Sequence, residues 1–157
     1  MNWSAYGKSA GMTGNPDDGL NLRVFVDSNI LISALLSSKS VASQLLTLVL
    51  SDHHLVLCDY GLAEVAQVIR RKFPTAVPKW EIFLASLDCE IVHTPVDLDI
   101  VAGPDIRDAK DRPVLVSALI AQPDAFVSGD ADFHTPEIAE YLNVYTPRQF
   151  LDRFGTA

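Results

Sequence analysis

From residue 22 onward the apolar positions alternate between short dense blocks and longer stretches spaced three and four apart. The blocks "LRVFV" (22–26), "HLVLC" (54–58), "CEIVH" (89–93), "DAFVS" (124–128) and "NVYT" (143–146) are rich in β-branched and aromatic side chains and predict five short strands. Between them lie helical patterns: "SNILISALLS" capped by Ser28 or Asn29, "VASQLLTLVL" (41–50), "DYGLAEVAQVIRRKF" (59–73) and "PKWEIFLASL" (78–87). The third is opened by Asp59, stopped before Pro74, and striped by Leu62, Val65, Ala66 and Ile69. "DRPVLVSALIA" (111–121) follows, with Asp111 placed to cap it and Pro113 in its first turn, where the missing N–H costs nothing. A short helix around Pro136–Leu142 and a last one, "PRQFLDRF" (147–154), complete the alternation. Residues 94–110, with Pro95, Pro104 and several aspartates, read as a loop.

Strand–helix alternation of this kind predicts one α/β domain, a mostly parallel five-stranded sheet with helices on both faces. It occupies 22–157; residues 1–21, rich in Gly, Ser, Asn and Asp without apolar period, read as a flexible tail. The chain's 157 residues suit a single domain, and its 48% hydrophobic content supplies a core. No apolar run nears the roughly 20 residues of a membrane helix, and no basic-then-apolar leader opens the chain, so a cytoplasmic protein without a membrane partner is expected. Cys58 and Cys89 stand far apart, outside any CxxC spacing, and read as small core residues of a reducing compartment.

Charge sharpens the picture. A net charge of −8 argues against broad nonspecific binding of nucleic acid, which needs a basic surface. It leaves room for an enzyme whose carboxylates hold divalent cations, because the cations reverse the local field. In a parallel sheet, ligands sit outside the carboxyl ends of the strands at a topological switch point. Asp27 ends the first strand and Asp130 follows the fourth; if these strands are neighbours, both face one crevice. Asp111 starts the helix leading into the fourth strand, and Glu64 lies in the first turns of the helix after the second, again on that edge. Singly, each acid has a plain structural reading: Asp111 as a helix cap, Glu64 as a solvated helix residue, Asp27 as a turn former. Jointly they repel unless protonated or bridged by a cation. Oxygen donors without a Cys or His cluster favour Mg²⁺ or Mn²⁺ over Zn²⁺.

The segments "VFVDSNILISALLS", "LCDYGLAEVAQVIRRKF", "RDAKDRPVLVSALIAQPDAFVSGDADF" and "VYTPRQFL" resemble, in order and spacing, the signature segments of PIN-domain ribonucleases. The likeness spans residues 22–154 and is greatest to the VapC-like toxins of type II toxin–antitoxin pairs. It implies a three-layer α/β/α fold and Mg²⁺- or Mn²⁺-dependent endoribonuclease activity on RNA. It also implies a cognate antitoxin protein as partner and a homodimer. By that resemblance Asp27, Glu64, Asp111 and Asp130 are the catalytic, metal-binding acids. Asn29 and Ser128 orient water or phosphate, and Asp132 is an accessory acid of the same loop.

Neighbouring residues have open readings. Asp108 is near enough to be an outer acid or a plain loop residue. Arg112 could meet RNA phosphate or sit solvated, and Arg70, Arg71 and Lys72 form a basic helix end that complements the dipole. His134 lies near the acids, His53 and His54 read as turn residues, and Trp80 and Phe83 read as core. The competing function is a catalytically weak PIN-like module that binds RNA or protein. A receiver-type phosphoacceptor domain is set aside, since the third strand ends in "IVHTP" with no acceptor aspartate.

Overall fold

The computed structural model describes residues 21–155, so all of the expected tail but Asn21 lies outside the described residues. Five strands form: β1 (Arg23–Val26), β2 (His54–Cys58), β3 (Cys89–Val92), β4 (Ala125–Val127) and β5 (Val144–Tyr145). They pair in the order β3-β2-β1-β4-β5, every pair parallel, so the sheet is wholly rather than mostly parallel. The helices are α1 (Asn29–Leu36), α2 (Val41–Asp52), α3 (Asp59–Lys72), α4 (Val77–Ser86), α5 (Arg112–Ala121), α6 (Pro136–Ala139) and α7 (Pro147–Phe154). The expected loop 94–110 holds the 3₁₀ turn Leu98–Ile100, and another, Ala109–Asp111, leads into α5.

Parallel strands are covered on both faces, which is why β4, and β1 and β2 after their opening residues Arg23 and His54, are apolar throughout. Val24, Val26, Leu55, Leu57, Ala125 and Val127 join one core, packed under α1–α4 and α7. Phe25, Val56, Cys58 and Phe126 point the other way, into a second core under α5 and α6. The Phe126 ring fills that second core, with centroids 5.3 Å from Phe25 and 5.0 Å from Phe133. The chain is thus the three-layer α/β/α sandwich expected. Among the described residues no single helix is long and apolar enough to cross a membrane. The apolar sides of α1 and α2, the closest approach to such a span, are buried in the first core.

Three local expectations gain detail or are corrected. Helix α3 opens at Asp59 as expected, and its cap is the Cys58 Sγ, which accepts from Gly61 N at 3.4 Å. Asp59 instead accepts from Thr94 N at 2.9 Å and pairs with His93, tying the end of β3 to α3. His53 stands at the bend between α2 and β2, yet it is buried: its Nδ1 accepts from Leu22 N at 3.2 Å, and its ring meets Phe150 and Phe154 edge-on. His54 opens β2 rather than a turn. The cysteines are free and buried on opposite faces of the sheet, Cys58 in the second core and Cys89 in the first. Trp80 is buried and Phe83 packs beside it, centroids 6.0 Å apart.

Candidate active site at the carboxyl edge

Strand order reverses at β1: β2 and β3 lie to one side, β4 and β5 to the other, so the switch point falls between β1 and β4. The ladders run one step past both strands. Asp27 N donates to Val127 O at 2.9 Å, and Ser128 N donates to Tyr145 O at 3.0 Å. Asp27 and Ser128 therefore emerge side by side from neighbouring central strands of the sheet. The Ser128 hydroxyl donates to Asp27 Oδ2 at 2.8 Å, and Asn29 N donates to Asp27 Oδ1 at 3.3 Å.

Asp27 is only 6% exposed, and among the described residues no cation pairs with it. Burial pushes its carboxyl up; the bonds from Ser128 and Asn29 pull it back, and Asp130 adds to the rise. Glu64 stands on the exposed side of α3. Its carboxyl is pushed up by partial burial and by Asp27, against the pull of Lys110. The approach of α3 depends on Gly61, where a Cβ would fall 2.2 Å from Ser28 Oγ. Glycine at this position lets the first turn of α3 close onto the residue after Asp27.

Asp111 occupies the cap position of α5, but its backbone is helical (φ −88°, ψ −9°) and its side chain caps nothing. A 3₁₀ turn runs straight into α5 instead: Asp111 N donates to the Asp108 carbonyl at 3.0 Å, and the Asp108 side chain accepts from Lys110 N at 3.0 Å. Freed from capping, the Asp111 carboxyl is pushed up to about 6 by burial, then by Asp130, Asp108 and Asp27. Asp130 lies within hydrogen-bonding contact of it. The loop from β4 is pinned by Ser128: its hydroxyl accepts from Asp130 N at 3.0 Å, and its carbonyl meets His134 Nε2 at 2.7 Å. Asp130 Oδ1 in turn accepts from Asp132 N at 2.9 Å, closing the turn.

All four acids expected at this edge are in electrostatic reach of at least one other: Glu64 of Asp27, Asp27 of Asp130, and Asp130 of Asp111. The tightest grouping differs from the expected set. Asp108, Asp111 and Asp132 each offer an oxygen, all within 4.8 Å of one another. Asp132 is already neutralised, since Arg107 donates Nε and Nη2 to its two oxygens at 2.8 Å each, and this holds its carboxyl below the usual range. Two cations of the site, Arg107 and Lys110, were passed over in the sequence. The signal was their place beside Asp108 and Asp111 in "RDAKD", where a basic residue next to clustered acids neutralises part of the repulsion.

Asn29 is exposed, and the contact it makes with Asp27 is through its main chain. Arg112 turns to Asp99, donating Nη2 to Oδ1 at 2.7 Å, which fastens loop 94–110 to α5. Arg70, Arg71 and Lys72 stand exposed in the last turn of α3.

Oxygen donors only, one of them buried without a counter-cation, fit a hard divalent cation such as Mg²⁺ or Mn²⁺. The PIN domain family matches the sequence over residues 23–132, and the chain belongs to that family. Among solved structures it superimposes on a chain of VapBC2 from Rickettsia felis bound to a DNA fragment from their promoter. The TM-score is 0.57 at 13% identity, covering 80% of this chain and 98% of that one, a likeness of fold. No curated protein sequence matches.

Proposed function

We propose that this protein is a metal-dependent endoribonuclease that hydrolyses RNA phosphodiesters, acting as the toxin of a toxin–antitoxin pair. The observation that carries the reading is Asp27, a buried and unpaired carboxylate at the switch point, with Asp111 and Asp130 crowded beside it. Such crowding is costly to the fold, and a bound cation would relieve it. Asp27, Glu64, Asp111 and Asp130 would hold Mg²⁺ or Mn²⁺, which lowers the pKa of a bound water and stabilises charge on phosphoryl oxygens.

The chain's own residues supply the rest. The Ser128 hydroxyl holds Asp27 in one rotamer while accepting from Asp130 N, so a single side chain sets two acids at once. Asn29, exposed beside Asp27, would orient a phosphate or water through its side-chain amide. Arg107, exposed and fixed on Asp132, offsets the negative field that a polyanion would otherwise meet. An antitoxin partner is supported by membership of the PIN domain family and by the fold it shares with a chain of the VapBC2 complex.

The test is a panel of single-stranded RNAs incubated with Mn²⁺, Mg²⁺ or EDTA. Cleavage in either metal, lost in EDTA and lost in Asp111→Asn, supports the reading. Cleavage that persists in the Asp111→Asn protein belongs to a contaminant and removes the assignment. A protein that binds no divalent cation is instead a PIN-like binding module.

A further inference from the structure

Beside the acids lies an open pocket of about 540 Å³ between α3, the segment after β3 and the start of α5. Its walls are mostly apolar: Tyr60, Val96, Leu98 and Pro113, with Asp59 and Thr94 the polar groups. Val96 is 101% exposed, an apolar side chain with nothing over it.

Three observations make this pocket a continuation of the acid site. Tyr60 and Glu64 are four residues apart on α3 and so share one helix face. Pro113 follows Asp111 by two residues at the start of α5. The Tyr60 hydroxyl is pushed up first by burial, then by the charges of Glu64 and Asp111, so it lies within reach of both. A strand whose phosphate sat at the acids would bring a neighbouring unit toward the pocket on the Tyr60 side of Glu64 and Asp111.

Charge selects which part of the strand enters. Asp59 is fixed by Thr94 N and by His93, and these bonds outweigh burial and keep its carboxyl below the usual range. An ionised carboxylate in the wall repels phosphate. It accepts N–H groups, as Asp and Glu do from the amino group of cytosine. A flat ring between an aromatic side chain and aliphatic walls meets the stacking preference of unpaired bases.

We infer that this pocket seats one nucleobase of the RNA cut at the acids, with Asp59 favouring bases that carry an exocyclic amino group. The inference rests on the ribonuclease reading for the cut but not for the binding, so the two can fail separately.

The binding arm titrates cytidine 5′-monophosphate and uridine 5′-monophosphate into the full chain, following backbone amide resonances. Shifts centred on Thr94, Val96 and Leu98, with the cytidine nucleotide bound several-fold more tightly, are expected. Asp59→Asn should erase that preference. The cleavage arm moves a single abasic nucleotide along a cleavable RNA. In the wild type one position next to the cut should lower kcat/KM by about ten- to a hundredfold, the loss of one stacked base. Tyr60→Ala should abolish that penalty and Tyr60→Phe retain it. Val96→Asp, on a fully exposed residue, does the same as Tyr60→Ala without risk to the core.

A flat abasic scan together with no nucleotide-induced shifts overturns the subsite while the nuclease reading stands. Nucleotide shifts at the pocket with no cleavage in any metal overturn the nuclease reading and leave the subsite. A penalty unchanged in Tyr60→Ala and Val96→Asp places the base elsewhere and removes the inference.

Discussion

Replacing Asp111 by asparagine should make the metal-free protein more stable. Asp111 offers an oxygen within 4.8 Å of Asp108 and Asp132, and Arg107 already neutralises Asp132. The unrelieved charges facing Asp111 are Asp130, in hydrogen-bonding contact, and then Asp108. At 4.8 Å two unit charges repel by about 0.9 kcal/mol in water and about 3.5 kcal/mol at an effective dielectric of about 20. Asp111 is partly open to solvent, so screening takes much of the larger figure and about 1–2 kcal/mol remains. For a chain of this size that corresponds to roughly 2–8 °C in Tm. The assay is thermal unfolding in EDTA and again in excess Mn²⁺. Asp111→Asn should melt higher than wild type in EDTA, and Mn²⁺ should raise the wild type far more than the variant.

The pH dependence carries the same sign. The Asp111 carboxyl is raised to about 6 in the fold, above an unfolded value of about 3.9. The native state therefore binds the extra proton, and the penalty grows as pH rises from about 4 to about 6 and is complete above that. The gap between variant and wild type should be open at pH 7.5 and close at pH 4. A variant less stable than wild type in EDTA at pH 7.5 would refute the reasoning, because Asp111 would then be a structural cap of α5.

Gly61→Ala puts a methyl group 2.2 Å from Ser28 Oγ and should cost about 1–3 kcal/mol in urea unfolding, with cleavage lowered as Glu64 moves; Ser28→Ala in the same chain should restore part of both. Arg107→Ala returns a negative charge to the acid group by freeing Asp132, so Mn²⁺ should bind several-fold more tightly by calorimetry, and weaker binding would show that Arg107 only props the loop. The His53 ring is held neutral, its pKa lowered first by burial, so stability should fall as pH drops below about 6.5. His53→Phe should flatten that slope between pH 6.5 and 5, and an unchanged slope assigns it to other groups.

Much of this fold can be read from the chain because buried parallel strands have a plain signature. The runs 54–58 and 147–154 coincide with β2 and α7 to the residue, since apolar continuity and a proline start mark them without competition. The gathering of acids at one edge was legible for a topological reason: strand ends and helix starts of parallel βα units share that edge, whatever their side chains. Local chemistry between close neighbours was less legible. Asp59 opens α3 and Asp111 stands where the cap of α5 belongs, yet neither side chain caps its helix, because Cys58 Sγ serves α3 and a 3₁₀ turn leads α5. A caps-first reading cannot see that a carboxylate is recruited by a strand end 35 residues away, as Asp59 is by Thr94. His53 misled for the same reason: polar residues between a helix and a strand suggest a turn, whereas this ring is covered by α7, which arrives much later in the chain. The pairing of Arg107, unlike its place beside the acids of "RDAKD", was hidden because its partner Asp132 lies 25 residues on.

The central claim is that Asp27 and its neighbouring acids bind the cation on which RNA cleavage depends. It is tested most directly by measuring bound Mn²⁺ by electron paramagnetic resonance and the cleavage rate of one RNA in the same samples. The rate should rise in proportion to bound Mn²⁺ in the wild type, and Asp27→Asn should lose both. Full-rate cleavage in chelated protein, or undiminished Mn²⁺ binding by Asp27→Asn, would contradict the account.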